Sequence, residues 1–176
     1  MSGYAKGGND TITATTSGRS LAVLFGDAQT MSGNVKGGND TLDGSSGNSF
    51  LFGDAQFYSP SSPGSITGGK DLLIGGPNDQ LWGGPNDDTF KFNFGAGNKV
   101  IHDFDQGNLA VGSTASEHDE IDVKAYGFAN WNALHAAISD DSSGNAVIHL
   151  TPDNLNTITL DGVHTANLHQ TDFIIT

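Results

Sequence analysis

The sequence predicts an all-β fold, a parallel β-roll followed by a mixed β cap containing a short helix. Three observations predict it. The chain repeats itself at long range: Met1–Ile12 reads MSGYAKGGNDTI and Met31–Leu42 reads MSGNVKGGNDTL, thirty residues on, with a looser copy at Pro63–Leu73. Between the copies, Leu24–Gln29 and Leu51–Gln56 both read LFGDAQ. At short range the unit is a glycine-rich turn, an Asp, then three residues with an apolar centre, seen back to back in Gly75–Trp82 and Gly83–Lys91. Composition also changes along the chain, since 21 of the 25 glycines fall before Asn108. Arrays with such periods are solenoids, in which each unit buries its apolar face only against its neighbours.

Each part of the unit has a physical role. Glycines supply the positive-φ conformations that reverse the chain within six residues. The short strand that follows points its central side chain inward and its neighbours outward. Two turn-plus-strand units complete a coil, and stacked coils pair strands in parallel. The inward positions are Ile12, Leu42, Leu73 and Phe90 on one wall, and Leu51, Leu81 and Ile101 on the other. After Asn93 the pattern changes. Gly97–Asn108 reads as a last degenerate repeat running into a loop, and His118–Val123 as a strand. Ala129–Ile138 carries Trp131 and Leu134 at helical spacing. Strands are expected near Ala146–Leu150 and Thr157–Leu160, then one helical turn in Thr165–Asp172 and a final strand at Phe173–Ile175. The division is therefore a roll over 1–108, with inserted loops at about 29–36 and 56–67, and a cap over 109–176.

Charge and composition exclude several functions. Twenty acidic side chains against seven basic ones give a net charge of −13 over 176 residues. Such a chain is a poor nucleic-acid binder, because phosphate contacts need Lys and Arg. No apolar run has the length of a transmembrane helix. Met1–Asp10 lacks the apolar core of a secretory signal peptide, and the absence of Cys excludes disulfides, thiolate metal sites and cysteine nucleophiles. Gly, Asn and Asp supply 58 residues, a third of the chain. Out of register that composition would mean disorder; in register it means turns.

The register sorts the turns onto two edges. On the first, the sixth turn position is Asp10, Asp40, Asp71 and Asp88, an acid in every coil. On the second, it is Ser20, Ser49, Asp79 and Lys99, with one carboxylate in four. Asp27 and Asp54 open the two long turns of the first edge. A single GGND would be read as an Asx turn. Four in register offer a hard cation the carboxylates and carbonyls it takes, six to eight oxygens for calcium. Magnesium fits less well, because it keeps its waters.

The turns resemble the calcium-binding nonapeptide G-G-x-G-x-D-x-U-x of the RTX (repeats-in-toxin) family, in which U is a large apolar residue. The resemblance implies a right-handed roll with several Ca²⁺ ions between successive turns of one edge. Carried over, the ligands are Asp10, Asp40, Asp71 and Asp88, with Asp27 and Asp54 as extras and Asp79 as a weaker candidate. Carbonyls are expected from Gly8, Gly38, Gly69 and Asn86. Ser20, Ser49 and Lys99 depart from the pattern and put the second edge in doubt. Without metal the aligned carboxylates repel and the glycines hold large conformational entropy, so folding is expected to depend on calcium.

The segment after the roll is similar to the C-terminal region of RTX proteins exported by type I secretion. Ile121–Phe128, Thr159–Val163 and the terminal TDFIIT carry that likeness. It implies an extracellular protein, a cap for the open sheet end and an uncleaved export signal recognised by the secretion machinery. Because Met1 aligns with Met31, inside a long turn, the chain is expected to be the C-terminal part of a longer protein, with any catalytic domain upstream. The leading reading is a non-enzymatic calcium-binding module. A polysaccharide- or surface-binding module is the alternative, with Phe57 and Tyr58 in an inserted turn as the residues that could stack on sugar. An enzyme reading would need His102 with Asp103 and Asp105, or His118 with Asp119 and Glu120; no G-x-S-x-G or HExxH accompanies them.

Overall fold

The structure, a computed structural model, describes residues 1–15, 20–95 and 97–176. Its first three coils run through β1 (Ser2–Gly3), β2 (Thr11–Thr13) and β3 (Ala22–Phe25), then β4 (Ala28–Gly33), β5 (Thr41–Asp43) and β6 (Ser49–Phe52), then β7 (Ala55–Pro60), β8 (Leu72–Gly75) and β9 (Gln80–Trp82). A fourth coil holds β10 (Thr89–Phe92) and β11 (Gly97–Ile101). A helical turn α1 (Gly107–Ala110), β12 (Glu120–Asp122), α2 (Trp131–His135), β13 (Ile138–Asp140), β14 (Ala146–His149), β15 (Asn156–Leu160) and β16 (Phe173–Ile174) complete the chain.

These strands form two long walls. One has the order β16-β12-β10-β8-β5-β2, parallel throughout. The other has the order β13-β14-β15-β11-β9-β6-β3, parallel from β3 to β15 and antiparallel in its last two pairs. The apolar ladders take the expected register. Ile12 pairs with Leu42, Leu42 with Leu73, Leu73 with Phe90, and the series continues to Ile121 and Phe173. Leu24, Leu51, Leu81, Ile101 and Leu160 form the facing series. Leu42, Leu51, Leu73, Leu81, Phe90 and Ile101 are fully buried, each contributing about 1.5–3 kcal/mol by removal from water. Outside the second wall, Phe25, Phe52, Trp82 and His102 stack ring on ring, with centroids 5.3, 4.5 and 4.2 Å apart.

The two inserted segments are not loops. β4 and β7 pair in parallel along Ala28–Gly33 and Ala55–Pro60, and β1 joins them, so the first three coils carry a third sheet. A second small core forms beneath it from Met31, Val35, Ala55, Ile66 and Val111. The reason is stacking. One insert alone leaves its backbone donors and acceptors to water, whereas inserts at the same place in successive coils satisfy one another. In the C-terminal part, α1 occupies the stretch expected as loop, and Thr165–Asp172 divides into two short 3-10 turns, Thr165–Asn167 and Gln170–Asp172. Through β12 and β15 both walls run on past residue 108.

Candidate metal centre

The first edge is the set of turns leading into β2, β5, β8, β10 and β12. In the uninterrupted turn Gly83–Asp88, Gly83 holds position one, Gly84 position two, Asn86 position four and Asp88 position six. The longer turns keep Gly26 and Gly53 at position one and Asp27 and Asp54 at position two. They then leave through the third sheet and return at Gly37 and Gly68, position three. Gly84 and Asn86 both have positive φ, +94° and +86°.

At position six each carboxylate is held the same way. Asp40 Oδ1 accepts the N–H of Asp10 at 2.6 Å, Asp71 Oδ1 that of Asp40 at 2.7 Å, and Asp88 Oδ1 that of Asp71 at 2.7 Å. Each Asp thus reaches back one coil, and its second oxygen is left over. Oδ2 of Asp40, Asp71 and Asp88 is buried and has no hydrogen-bond partner, and the same is true of Asp54 Oδ2. A buried carboxylate oxygen without a partner costs at least ~1–3 kcal/mol. Among the described residues none of these four carboxylates pairs with Lys, Arg or His.

The orphan oxygens point at a recurring cradle beside the position-one glycine. A Cβ added to Gly26 would lie 1.9 Å from Gly53 O and 2.3 Å from Asp40 Oδ2. At Gly53 the corresponding neighbours are Gly83 O at 2.2 Å and Asp71 Oδ2 at 2.4 Å, and at Gly83 Asp88 Oδ2 lies at 2.3 Å. Only glycine fits, because the carboxylate, joined at Gly26 and Gly53 by a next-coil carbonyl, takes the space a side chain would fill. No three His, Asp or Glu side chains cluster at metal spacing among the described residues. A cation placed on this edge would have to take most of its oxygens from the main chain, a donor type that hard cations use.

Electrostatics mark the same edge. Burial raises Asp71 to about 8, with backbone hydrogen bonding opposing and Asp40 adding repulsion. Burial also lifts Asp40, and lifts Asp54 and Asp88 well above the ordinary carboxylate range, the last two helped by neighbouring acids. Asp27, raised to about 6 by burial, accepts the Gly38 N–H with both oxygens, while Asp54 Oδ1 accepts that of Gly69 at 2.8 Å. These two acids form an inner row beneath the third sheet. Buried carboxylates that resist ionisation alone would be favoured as anions by a positive charge placed beside them.

The model of the RTX calcium-binding nonapeptide repeat matches the chain in four copies, over residues 36–56 and 66–98. The chain carries RTX repeats. The repeat is a non-catalytic calcium-binding module. Among solved structures, the chain is similar to the AlgE6R3 subunit of the Azotobacter vinelandii mannuronan C5-epimerase, with 23% identity, a TM-score of 0.47, and coverage of 91% of this chain and 81% of that one. No curated protein matches the chain.

The second edge of the RTX roll is built differently. Asp79 Oδ1 accepts the Ser49 N–H and Oδ2 the Gly76 N–H, both at 2.7 Å, so neither oxygen is spare. One coil on stands Lys99, fully buried, its pKa lowered to about 8 by burial with Asp79 opposing.

The predicted residues divide accordingly. Asp40, Asp71 and Asp88 share one column with Asp10, which lies exposed on the first coil. Asp27 and Asp54 line the inner row, and Asp79 is on the other edge. The carbonyls of Gly8 and Gly38 press on Gly38 and Gly69 of the next coil, at 1.4 and 1.5 Å from where a Cβ would be. Asn86 donates its side-chain amide to Gly68 O at 2.7 Å. The carbonyls converging with the orphan oxygens belong instead to Gly53 and Gly83, beside Asp40 and Asp71, and to Pro85, which with Asp54 Oδ2 crowds the space a Gly68 side chain would take; all three lie outside the predicted set.

Asp119 was also missed. Its Oδ1 accepts the Asp88 N–H at 2.8 Å and its Oδ2 the Asp105 N–H at 2.8 Å, and burial raises it to about 9. The signal was present in Asp119–Glu120–Ile121, the same Asp, spacer, apolar order as Asp88–Thr89–Phe90. Asp103, raised to about 6 by burial, accepts the N–H groups of Gly83 and Gly84.

The acid–base pairs of the enzyme reading do not form. His102 stacks on Trp82 and meets Gln80 and Asp161, and His118 meets the Thr171 carbonyl, while Asp103 and Asp119 turn into the roll. Phe57 and Tyr58 are likewise separated. Phe57 is exposed, whereas Tyr58 packs against the second core with its hydroxyl accepting the Ala55 N–H.

Proposed function

We propose that the protein is a calcium-folded RTX module whose ions sit along the first edge, held by Asp40, Asp71 and Asp88 with carbonyls including Gly53 and Gly83, and by Asp10, Asp27, Asp54 and Asp119 at the ends and inner row. One observation carries this reading: the buried, unpartnered Oδ2 atoms of Asp40, Asp71 and Asp88 recur coil by coil beside the position-one glycines, those of Asp40 and Asp71 together with a next-coil carbonyl. When bound, calcium supplies the positive charge that these buried carboxylates lack. The chain's own residues fix the ladder. Each Oδ1 binds the N–H of the preceding coil, so registering one coil places the next carboxylate.

In low calcium the carboxylates repel, and the chain stays largely disordered. In high calcium it folds, a coupling suited to passage through an export channel followed by folding outside the cell. Export by a type I system, an extracellular destination and the use of residues 109–176 as cap and signal belong to the same proposal. They are supported by the likeness of the C-terminal segments and by the antiparallel β13-β14-β15 turn-back that ends the second wall. The module is proposed to have no catalytic role of its own. No helix among the described residues is long and apolar enough to cross a membrane.

The test is circular dichroism of the protein titrated with calcium from excess chelator. Strand signal is expected to appear cooperatively with calcium and hardly at all with magnesium. Equal strand content in chelator and in calcium would overturn the proposal.

A further inference from the structure

The second edge has a buried charge that the calcium reading does not use. Val100 pairs with Gln80 and Ile101 with Leu81, so Lys99 stands one coil on from Asp79, at the sixth turn position. Its side chain is not directed to water. Only 1% exposed, it donates from Nζ to Gly97 O at 3.0 Å, to Gly95 O at 3.2 Å and to Asn156 Oδ1. Two turn carbonyls and a side-chain oxygen thus surround a positive nitrogen, the donor types a hard cation collects. On the first edge the corresponding oxygens are carboxylates, and some of them have no partner.

We propose that the Lys99 ammonium takes the place of a metal ion on the second edge, making the junction between the last repeat coil and the C-terminal region independent of calcium. The partners span that junction. Asn156 opens β15, and its amide donates to the Tyr126 hydroxyl at 3.1 Å; that hydroxyl donates to Asn93 O at 2.7 Å. One ammonium therefore ties the turn before β11 to β15 and, through Asn156, to Tyr126. The local ladder is altered to match. On the first edge each Asp N–H donates to the carboxylate of the next coil, whereas the Asp79 N–H turns back to Gly76 O at 3.4 Å, because Lys99 offers no acceptor.

Two substitutions test this, with melting temperature and calcium stoichiometry measured beside the unaltered protein in any buffer where that protein folds. Lys99→Met keeps the length and removes the charge, leaving the Asn156 oxygen and two carbonyls without their donor. Melting is expected to fall by roughly 10 °C, the scale for breaking a buried charged contact in a domain of this size, with calcium stoichiometry unchanged. Lys99→Asp returns a carboxylate to the column of Asp79 and is expected to bind one calcium ion more than the unaltered protein. Should Lys99→Asp fail to fold, the Lys99→Met result decides. Unchanged melting of Lys99→Met, or a folded Lys99→Asp protein without the additional ion, would overturn the proposal. Failure of the unaltered protein to bind calcium would instead count against the first-edge reading and leave the Lys99→Met comparison intact.

Discussion

Replacing Asp71 by Asn should act in opposite directions with and without calcium. Asn keeps an oxygen to accept the Asp40 N–H, now 2.7 Å from Asp71 Oδ1. In place of the orphan Oδ2 it puts an amide donor, next to the Gly83 carbonyl that shares the same cradle. Metal-free, the change removes a buried carboxyl group that must take up a proton for the roll to fold. With Asp71 raised from 3.8 to about 8, keeping it protonated in the folded roll at pH 7 costs up to about 4 kcal/mol. The amide avoids that cost, so Asp71→Asn should hold as much strand structure in chelator as the unaltered protein, or more. With calcium, the variant loses a charged ligand. Outer-shell partners of bound metals are worth 10–100-fold in affinity, so a direct ligand should reach at least about 100-fold, or ~2.7 kcal/mol. The assay is strand content by circular dichroism against free calcium, started from chelator. The expected result is a folding midpoint displaced to higher calcium with no loss of structure at zero calcium. A variant whose calcium midpoint stays where it is in the unaltered protein would refute the reasoning, since Asp71 would then be only a backbone hydrogen-bond acceptor.

Four more expectations follow from the same geometry. Burial raises Asp27 and Asp103 to about 6, Glu117 to about 7, Asp71 to about 8 and Asp119 to about 9. Folding without metal therefore takes up protons, and the resulting stability is full below the unfolded value near 4 and lost progressively as pH rises from there to 9. Chelator-treated protein should gain strand structure between pH 8 and pH 5, while calcium binding weakens over the same interval; a chelated protein that loses order on acidification would contradict this. Gly53→Ala would put a methyl 2.2 Å from Gly83 O and 2.4 Å from Asp71 Oδ2, so calcium titration should show a large loss of affinity. Gly127→Ala, at φ +67° with open space around it, should cost about 1 kcal/mol in melting and leave the calcium midpoint in place. Phe90→Ala, at the centre of the first wall, should lose about 3–5 kcal/mol in urea unfolding with calcium present, mainly by cavity formation.

The two walls were legible because every coil restates the same order of Asp, spacer and large apolar residue, so Leu42, Leu73 and Phe90 fall into one ladder without further information. The third sheet was hidden for the opposite reason. Its strands Ala28–Gly33 and Ala55–Pro60 are short, rich in Gln, Ser and Thr, and bury little beyond Met31 and Ala55. Their stability comes from stacking on one another, which local pattern does not express. Asp119 was missed because an insert containing α1 separates it from Asp88 and no glycine precedes it. Side-chain identity marked Asp40, Asp71 and Asp88 as ligand candidates, yet it does not encode which carbonyl turns toward them; Gly53 and Gly83 emerged only from backbone geometry. Lys99 showed its charge in the sequence but not its burial.

The central claim is that cations belong to the first edge and not to the second. Long-wavelength diffraction from crystals grown in calcium tests it most directly, because anomalous difference peaks locate calcium without reference to the protein model. Peaks are expected beside Asp40, Asp71 and Asp88, each near the position-one glycine of its coil, with none at Lys99. Peaks confined to the Asp79 edge, or a folded protein with no calcium peak beside the Asp40–Asp71–Asp88 column, would contradict the account.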